Sequence, residues 1–412
     1  MDNLPKPWCR RVLYGGTTGF AHGAPSYREV MMFSKEMGRR KFIKSISSVL
    51  GGVLTSRFWN ADLSFSKTEK APILEYRTLG KTGMKVTVVS MGVMNCTDPS
   101  VIHKAFDLGI NFFDTAPTYT RGTNEEMVGT VLKGKRDKVF IQTKVRVQEE
   151  KQMQASVERS LRRLQTDYVD VLVWHGLHST KEILDSELFD FMSKMKKEGK
   201  ARFTGFSAHS NMASVLKEAV KGNYHDVALV SYNFTHSKDL KEAVALAAKS
   251  GIGIVAMKTQ AGGYKKEKMG GLSPHQAALK YVLMDQNVSL AIPGVTTIEQ
   301  IEECAAVMGT SFSKGDLNEL KQYQSFLRGR ICTMCGGCVG ECPYGVSHAD
   351  LLRTVMYHDG YENDSLVRES LKTIARQNVQ YCSECPSCSV VCRRGLDIKA
   401  QMQEIRSLEF GV

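Results

Sequence analysis

Between Tyr76 and Met308 the chain alternates short apolar runs with amphipathic stretches, and the alternation repeats eight times. Nothing else in the sequence restricts the fold as strongly. A strand that is apolar along its whole length must be covered on both faces, which a one-sided antiparallel sheet does not provide. The strand candidates are Val86 to Met91, Phe112 to Asp114, Val139 to Thr143, Val169 to Trp174, Phe203 to Ser207, Val227 to Tyr232, Gly253 to Met257 and Ser289 to Ile292. Helical periodicity fills the intervals, as at Val101 to Leu108, Met153 to Leu164, Asp239 to Lys249 and Pro274 to Met284, with Pro274 suited to a first turn. Eight strand-helix units predict an α/β fold, a closed (β/α)8 or TIM barrel, over residues 71–312. An open doubly wound sheet is the competing architecture, and no Gly-rich dinucleotide fingerprint follows the first strand to support it.

Residues 313–412 carry a different signal. Eight of the 11 cysteines fall in two runs, Cys332-x-x-Cys335-x-x-Cys338-x-x-x-Cys342-Pro343 and Cys382-x-x-Cys385-x-x-Cys388-x-x-x-Cys392. Both runs resemble the spacing of bacterial ferredoxins that hold two 4Fe-4S clusters, in which the fourth cysteine of each run serves the other cluster. That resemblance assigns Cys332, Cys335, Cys338 and Cys392 to one cluster and Cys382, Cys385, Cys388 and Cys342 to the second. Gly336 and Gly337 allow close backbone approach in the first run. Zinc is one rival reading, though it gives no reason for two complete four-cysteine runs, and disulfides are the other, favoured if the protein is exported. The stretch from Ser365 to Gln377 reads as a helix, so this small domain resembles a mostly helical ferredoxin. Cys9, Cys96 and Cys304 fit neither run and read as core or tail residues.

The formal net charge is +12, with 55 Lys and Arg against 43 acids. Half of the excess lies before residue 45, where nine basic residues face three acids, 9 − 3 = +6. A charge concentrated in one terminal segment does not make a phosphate-binding surface, and no nucleic-acid partner is expected. That segment contains Gly38-Arg39-Arg40-Lys41-Phe42-Ile43-Lys44 followed by a small-residue apolar stretch from Ser45 to Thr55. It resembles a twin-arginine export signal, read as a targeting segment over residues 1–70 that directs folded protein to the periplasm. A basic amphipathic helix on a cytoplasmic protein is the alternative. The apolar stretch falls well short of the roughly 20 residues a membrane span needs, so no span is expected.

In a barrel, chemistry gathers at the carboxyl ends of the strands. Asp114 closes the second strand candidate, Lys144 follows the third, His175 follows the fourth, and Tyr119 lies just beyond Asp114. Singly, each has an ordinary explanation as a cap, a rim charge, a core histidine or a surface aromatic. Together, on consecutive strands, they suggest one site.

The segments Tyr76-Arg-Thr-Leu-Gly-Lys-Thr-Gly83, Asn111-Phe-Phe-Asp-Thr-Ala-Pro-Thr-Tyr119, Ile141-Gln-Thr-Lys144 and Asp170-Val-Leu-Val-Trp-His175 resemble the aldo-keto reductase family along the whole barrel. The resemblance implies that Asp114, Tyr119, Lys144 and His175 act on a small carbonyl or alcohol substrate beside NADP or NAD. Carbonyl reduction builds negative charge on oxygen and needs a proton donor there. Tyr119 is expected to donate, Lys144 to favour its phenolate, Asp114 to hold the ammonium and His175 to orient the oxygen. The resemblance also places Ser207, Asn233, Met257, Lys258, Gly294, Thr297, Gln300 and Glu303 around the nucleotide. Leu229 stands where the family often has a glutamine, and Gln300 where it often has an arginine for a 2′-phosphate, so NAD and NADP both stay open.

The two halves predict an oxidoreductase whose clusters exchange electrons with a partner protein. Nicotinamide moves two electrons as hydride and a 4Fe-4S cluster moves one, and no flavin motif bridges them. Two alternatives stay open: an electron-transfer protein whose barrel is only a scaffold, and clusters that merely brace the C-terminal domain.

Overall fold

The computed structural model describes residues 73–177, 179–262, 274–335, 337–346, 348–374, 382 and 385–409. The twin-arginine motif, Cys9 and Gly336 lie outside these residues.

The barrel is an eight-stranded, all-parallel sheet. Its strands are β3 (Met91–Gly92), β4 (Phe112–Asp114), β5 (Phe140–Val145), β6 (Val169–Trp174), β7 (Ala201–Ala208), β8 (Val227–Ser231), β9 (Gly253–Met257) and β10 (Leu290–Ala291), paired in sequence order. Parallel bridges from Val89 to Ala291 and from Gly92 to Gly294 join the last strand to the first and close the barrel. Gly92 lets the strands approach at this seam, since a Cβ there would stand 3.0 Å from the Ile292 carbonyl oxygen.

Ahead of the barrel, β1 (Tyr76–Thr78) and β2 (Lys85–Thr87) form an antiparallel hairpin. Leu79, Met84 and Val86 from this hairpin pack with Phe112, Val171, Val227, Val255 and Leu290 inside the barrel. They plug the end opposite the site, each fully buried side chain contributing roughly 1.5–3 kcal/mol. Gly80 is required there: its φ is +49°, and a Cβ would lie 2.3 Å from the Gly253 nitrogen.

The expected first strand, Val86 to Met91, is thus two elements. Val86 belongs to the hairpin, whereas Met91 belongs to the barrel. The chain turns between them, where Ser90 Oγ donates to the Thr87 carbonyl at 2.8 Å and the Val88 N–H to the Glu75 carbonyl at 3.0 Å. Because Val86, Val88, Val89 and Met91 are all fully buried, the apolar run continues through the bend and hides it.

Among the described residues, 13 α-helices are numbered here in chain order. The ones that matter for the site are α8 (His275–Met284), α9 (Ile298–Ala305), α10 (Lys314–Leu327), α11 (His348–Asp359), α12 (Asp364–Ile374) and α13 (Ile398–Glu409). Helix α10 packs on α8, and its Tyr323 hydroxyl donates to the Gln260 carbonyl at 2.8 Å. Helix α11 packs on both α12 and α13 around Leu351, Leu352, Val355, Met356, Val367, Leu371, Met402 and Ile405. Cys332, Cys342, Cys382, Cys388 and Cys392 lie against this second core. Residues 70–412 form one compact unit, so the helical lobe is part of the barrel's own body. Among the described residues, no helix is long and apolar enough to cross a membrane.

Candidate active site and cluster ligands

Strands β4, β5 and β6 bring their carboxyl ends to the same mouth, in the register Asp114 beside Gln142, Lys144 beside Val173 and Val145 beside Trp174. Lys144 Nζ lies 2.7 Å from both Asp114 carboxylate oxygens and donates to the Thr115 carbonyl at 2.7 Å. Gln142 Nε2 donates to Asp114 Oδ1, also at 2.7 Å. The pair is buried, with side-chain exposures of 2% and 4%, so its geometry is held by the barrel rather than by solvent.

Tyr119 enters from the turn after β4, its ring centroid 4.8 Å from Lys144 Nζ. The His175 ring meets it edge-on at 6.1 Å. The two residues after Tyr119 sit in the left-handed region, Thr120 at φ +48° and Arg121 at φ +57°. Side chains other than glycine seldom adopt that conformation, and here it accompanies a functional turn. The four expected residues therefore converge. Asp114, Tyr119 and His175 line a cavity of about 400 Å³, with Lys144 directly beneath.

The electrostatics differ from expectation in one respect. Burial pushes the Tyr119 phenol well above its ordinary range, and the Asp114 charge pushes the same way. Burial is the largest influence and keeps the phenol high although the Lys144 ammonium stands 4.8 Å from its ring. Burial in turn lowers Lys144, opposed by Asp114. Tyr119 thus rests as a protonated phenol, the form that can donate.

The residues expected around the nucleotide divide into three groups. Met257, Lys258 and Gly294 line the same cavity as the tetrad. Ser207 and Asn233 are buried against backbone: Ser207 Oγ accepts from the Gly176 N–H at 2.9 Å, and Asn233 Nδ2 donates to the Lys258 carbonyl at 3.0 Å and the Thr333 carbonyl at 3.3 Å. Thr297, Gln300 and Glu303 lie on α9 and its cap. Thr297 caps the helix by accepting from the Gln300 N–H at 3.3 Å, and Gln300 Oε1 accepts from the Thr296 N–H at 2.7 Å. Glu303 Oε2 stands 3.1 Å from His275 Nδ1. Leu229 points into the barrel interior among Val171 and Val255. Met257 and Gly294 are the lining residues placed to hold the nicotinamide end of a dinucleotide.

Sequence reasoning missed the roof of the cavity. Asp350, Arg353, Tyr357, Tyr361, Leu366 and Ser370 all line it, and all come from the C-terminal lobe. Lys258 Nζ lies 4.5 Å from the Tyr357 ring centroid and 4.9 Å from that of Tyr361. The available signal was the spacing of Asp350, Arg353 and Tyr357, which puts them on one face of α11 opposite the apolar one.

In the lobe, β11 (Cys338–Val339) pairs antiparallel with β12 (Val391–Cys392), which sets Cys338 directly opposite Cys392. Burial, with smaller contributions from Cys338, Cys335 and Cys392, pushes the Cys332 thiol up to about 12. Cluster iron would supply the cationic centre that lets such buried thiols bind as thiolates. Among the described residues, no three His, Cys, Asp or Glu side chains converge on one ion. A cubane does not require that, since each thiolate takes a different iron. The two runs are tied to each other: Ser389 Oγ donates to the Glu341 carbonyl at 2.8 Å, and a Cβ on Gly340 would stand 2.2 Å from the Ser389 oxygen. Cys96 and Cys304 are buried in the barrel core.

Residues 97–270 and 264–324 match the aldo/keto reductase family, and residues 331–397 match a 4Fe-4S dicluster domain. The chain is 27% identical over 301 residues to L-galactose dehydrogenase of Arabidopsis thaliana, covering 62% of this chain and 94% of that one. It is 24% identical over 324 residues to L-glyceraldehyde 3-phosphate reductase of Escherichia coli (strain K12), covering 61% and 92%. Among solved structures it is similar to an aldo-keto reductase from Bacillus halodurans in its holo form, with a TM-score of 0.52, 25% identity and coverage of 61% and 96%. With more than half its length inside the family match and a parallel eight-stranded barrel beneath it, the chain belongs to the aldo/keto reductase family, as an oxidoreductase with a 4Fe-4S dicluster domain at its C-terminal end.

Proposed function

We propose that the barrel interconverts a small carbonyl compound and its alcohol with NADP or NAD, and that the C-terminal domain holds two 4Fe-4S clusters that exchange electrons with a partner protein. The observation that carries this reading is the Lys144 ammonium, clamped between both Asp114 oxygens at 2.7 Å and set 4.8 Å from the Tyr119 ring. A bound nicotinamide contributes hydride, and a bound cluster contributes single electrons. The chain does the rest. Tyr119, kept protonated by burial, gives its hydroxyl proton to the carbonyl oxygen as negative charge grows there. Lys144 lies below the phenol and stabilises the phenolate left behind, while Asp114 fixes its position. His175, edge-on to Tyr119, orients the same oxygen. Oxidation of an alcohol runs these proton movements in reverse.

The first cluster takes Cys332, Cys335, Cys338 and Cys392, supported by the pairing of Cys338 with Cys392. The second takes Cys382, Cys385, Cys388 and Cys342. The relatives named for L-galactose and L-glyceraldehyde 3-phosphate support a small carbonyl as substrate. Anaerobic purification with iron, sulfide and nucleotide analysis on one sample tests the reading. It predicts two clusters' worth of iron and sulfide, and saturable binding of NADPH or NADH. Iron-replete protein that binds neither nucleotide would overturn the hydride half.

A second reading has one observation in its favour. Asn233 and Lys258, both expected at the nucleotide, are engaged by the C-terminal lobe through Thr333 and Tyr357. The barrel would then be a scaffold for an electron-transfer protein, and clusters that cycle without any bound nucleotide or carbonyl turnover would decide for it.

We further propose export by the twin-arginine route. Fractionation of cells expressing the chain with Arg39→Lys and Arg40→Lys together is expected to find it retained in the cytoplasm, and unchanged export would remove the signal.

A further inference from the structure

The roof of the catalytic cavity carries a buried guanidinium supplied by the iron-sulfur lobe. Arg353 projects from α11 with its side chain only 12% exposed. Its Nη1 lies 2.9 Å from Asp350 Oδ1, while its Nε is buried without a hydrogen-bond partner. Facing it from the end of β9 is Lys258, held at φ +56°. Among the described residues no carboxylate pairs with Lys258: its contacts are the two tyrosine rings and the Tyr357 hydroxyl at 3.4 Å.

The charged groups around the cavity are Arg146, Lys258 and Arg353 in the lining, Lys144 beneath, and the acids Asp114 and Asp350. Lys144 lies with Asp114 and Arg353 beside Asp350, so among the described residues Lys258 is left as a buried cation with no carboxylate next to it, a local surplus of one positive charge. A buried surplus of one sign is costly unless a counter-charge enters. The side chains respond as that rule requires: burial pushes Lys258 well below its ordinary range, and Arg353 and Lys144 push it further. An anionic group in the cavity would restore the ammonium. A guanidinium with an unused N–H in a fixed plane matches a carboxylate or a phosphate, and no neutral group answers both cations.

We infer that Arg353 and Lys258 form an anion subsite in the catalytic cavity, and that the substrate is a carbonyl compound bearing a carboxylate or phosphate. The inference rests on the proposed carbonyl chemistry. It also gives the C-terminal lobe a part in substrate choice, because a barrel of this family without the lobe would lack Arg353.

The test is equilibrium binding by calorimetry to the full iron-replete chain, so that no turnover is needed. The probes are oxamate, glycerol 3-phosphate, neutral oxamide and NADPH, measured on the unaltered chain and on Arg353→Gln and Arg353→Lys. At least one of the two anions is expected to bind and to weaken about ten- to hundredfold in Arg353→Gln, with partial recovery in Arg353→Lys. Whether it is oxamate or glycerol 3-phosphate tells a carboxylate from a phosphate. Oxamide and NADPH are expected to bind all three chains alike. The inference is overturned if neither anion binds the unaltered chain, or if both bind Arg353→Gln equally well. It is also overturned if NADPH alone weakens, since the nucleotide's phosphates would then be the occupant. Iron content and helical circular dichroism of the variants identify any that misfold, and Arg353→Lys keeps the test open in that case. A chain that binds the anion through Arg353 yet reduces no carbonyl keeps the subsite and loses only the proposed reaction.

Discussion

The side-chain amide of Asn233, just beyond barrel strand β8, donates to the backbone carbonyl of Thr333, inside the first cysteine run, at 3.3 Å. The same amide donates to the Lys258 carbonyl at 3.0 Å, beside the catalytic cavity. One side chain therefore ties the first cysteine run to the mouth of the barrel. His236 adds a second tie through the Met334 carbonyl at 2.9 Å, and Arg394 a third to the Thr235 carbonyl. A packed, hydrogen-bonded seam of this kind passes disorder on one side to the other.

Loss of a cluster should consequently open the cavity. Cys338→Ser with Cys392→Ser removes two ligands that face each other across β11 and β12. Iron content is expected to fall, and amide hydrogen exchange across α11 to accelerate at least tenfold while the barrel strands stay protected. Unchanged protection of α11 in the iron-depleted protein would show that the lobe is braced by its apolar core alone.

The seam should also respond to acid. Burial lowers His236 to about 4, below the 6.5 of a free imidazole. Its Nδ1 accepts from the Asn233 N–H at 2.8 Å, so its Nε2 must carry the proton that Met334 receives. Between those two pH values the unfolded chain holds a proton that the folded chain does not, so stability rises with pH across the window and is lost as pH falls through it. The full effect is about 3 kcal/mol. Urea midpoints measured from pH 4.5 to 7 should therefore fall more steeply with acid for the unaltered chain than for His236→Gln. Parallel curves would contradict the assignment.

The buried pair beneath the phenol can be separated into stability and chemistry. Lys144→Met leaves the Asp114 carboxylate buried and unpaired, at an expected cost of about 3–5 kcal/mol. Adding Asp114→Asn removes that charge and should recover most of the stability, as read from denaturation midpoints. Neither variant should recover carbonyl turnover. A double variant as unstable as the single one would place the loss in packing.

Much of this was legible beforehand, and the boundary is instructive. Asp114, Lys144 and His175 were readable because a parallel strand delivers its last residue to the barrel mouth, so position along the strand gives position in space. The cysteine runs were readable because ligand spacing is a local property of the chain. The bend between Val86 and Met91 was not, since buried valines continue through it. Arg353, Tyr357 and Tyr361 were not either. They reach the site only because α11 lies across the mouth, and a shared helix face in the sequence does not say which surface that face will meet. The high resting phenol of Tyr119 was hidden for a related reason: its burial and its closeness to the Asp114 charge are matters of geometry.

The most direct test is a comparison of the iron-replete chain with Tyr119→Phe, which removes one hydroxyl and leaves the ring against Lys144 and His175. NADPH and NADH binding is measured by fluorescence, and nucleotide oxidation is followed anaerobically with an anionic aldehyde. Nucleotide affinity is expected to stay within about twofold, while turnover falls by roughly 10²–10⁴, the range for losing a positioned proton donor. Turnover by Tyr119→Phe within a few fold of the unaltered chain would contradict the account.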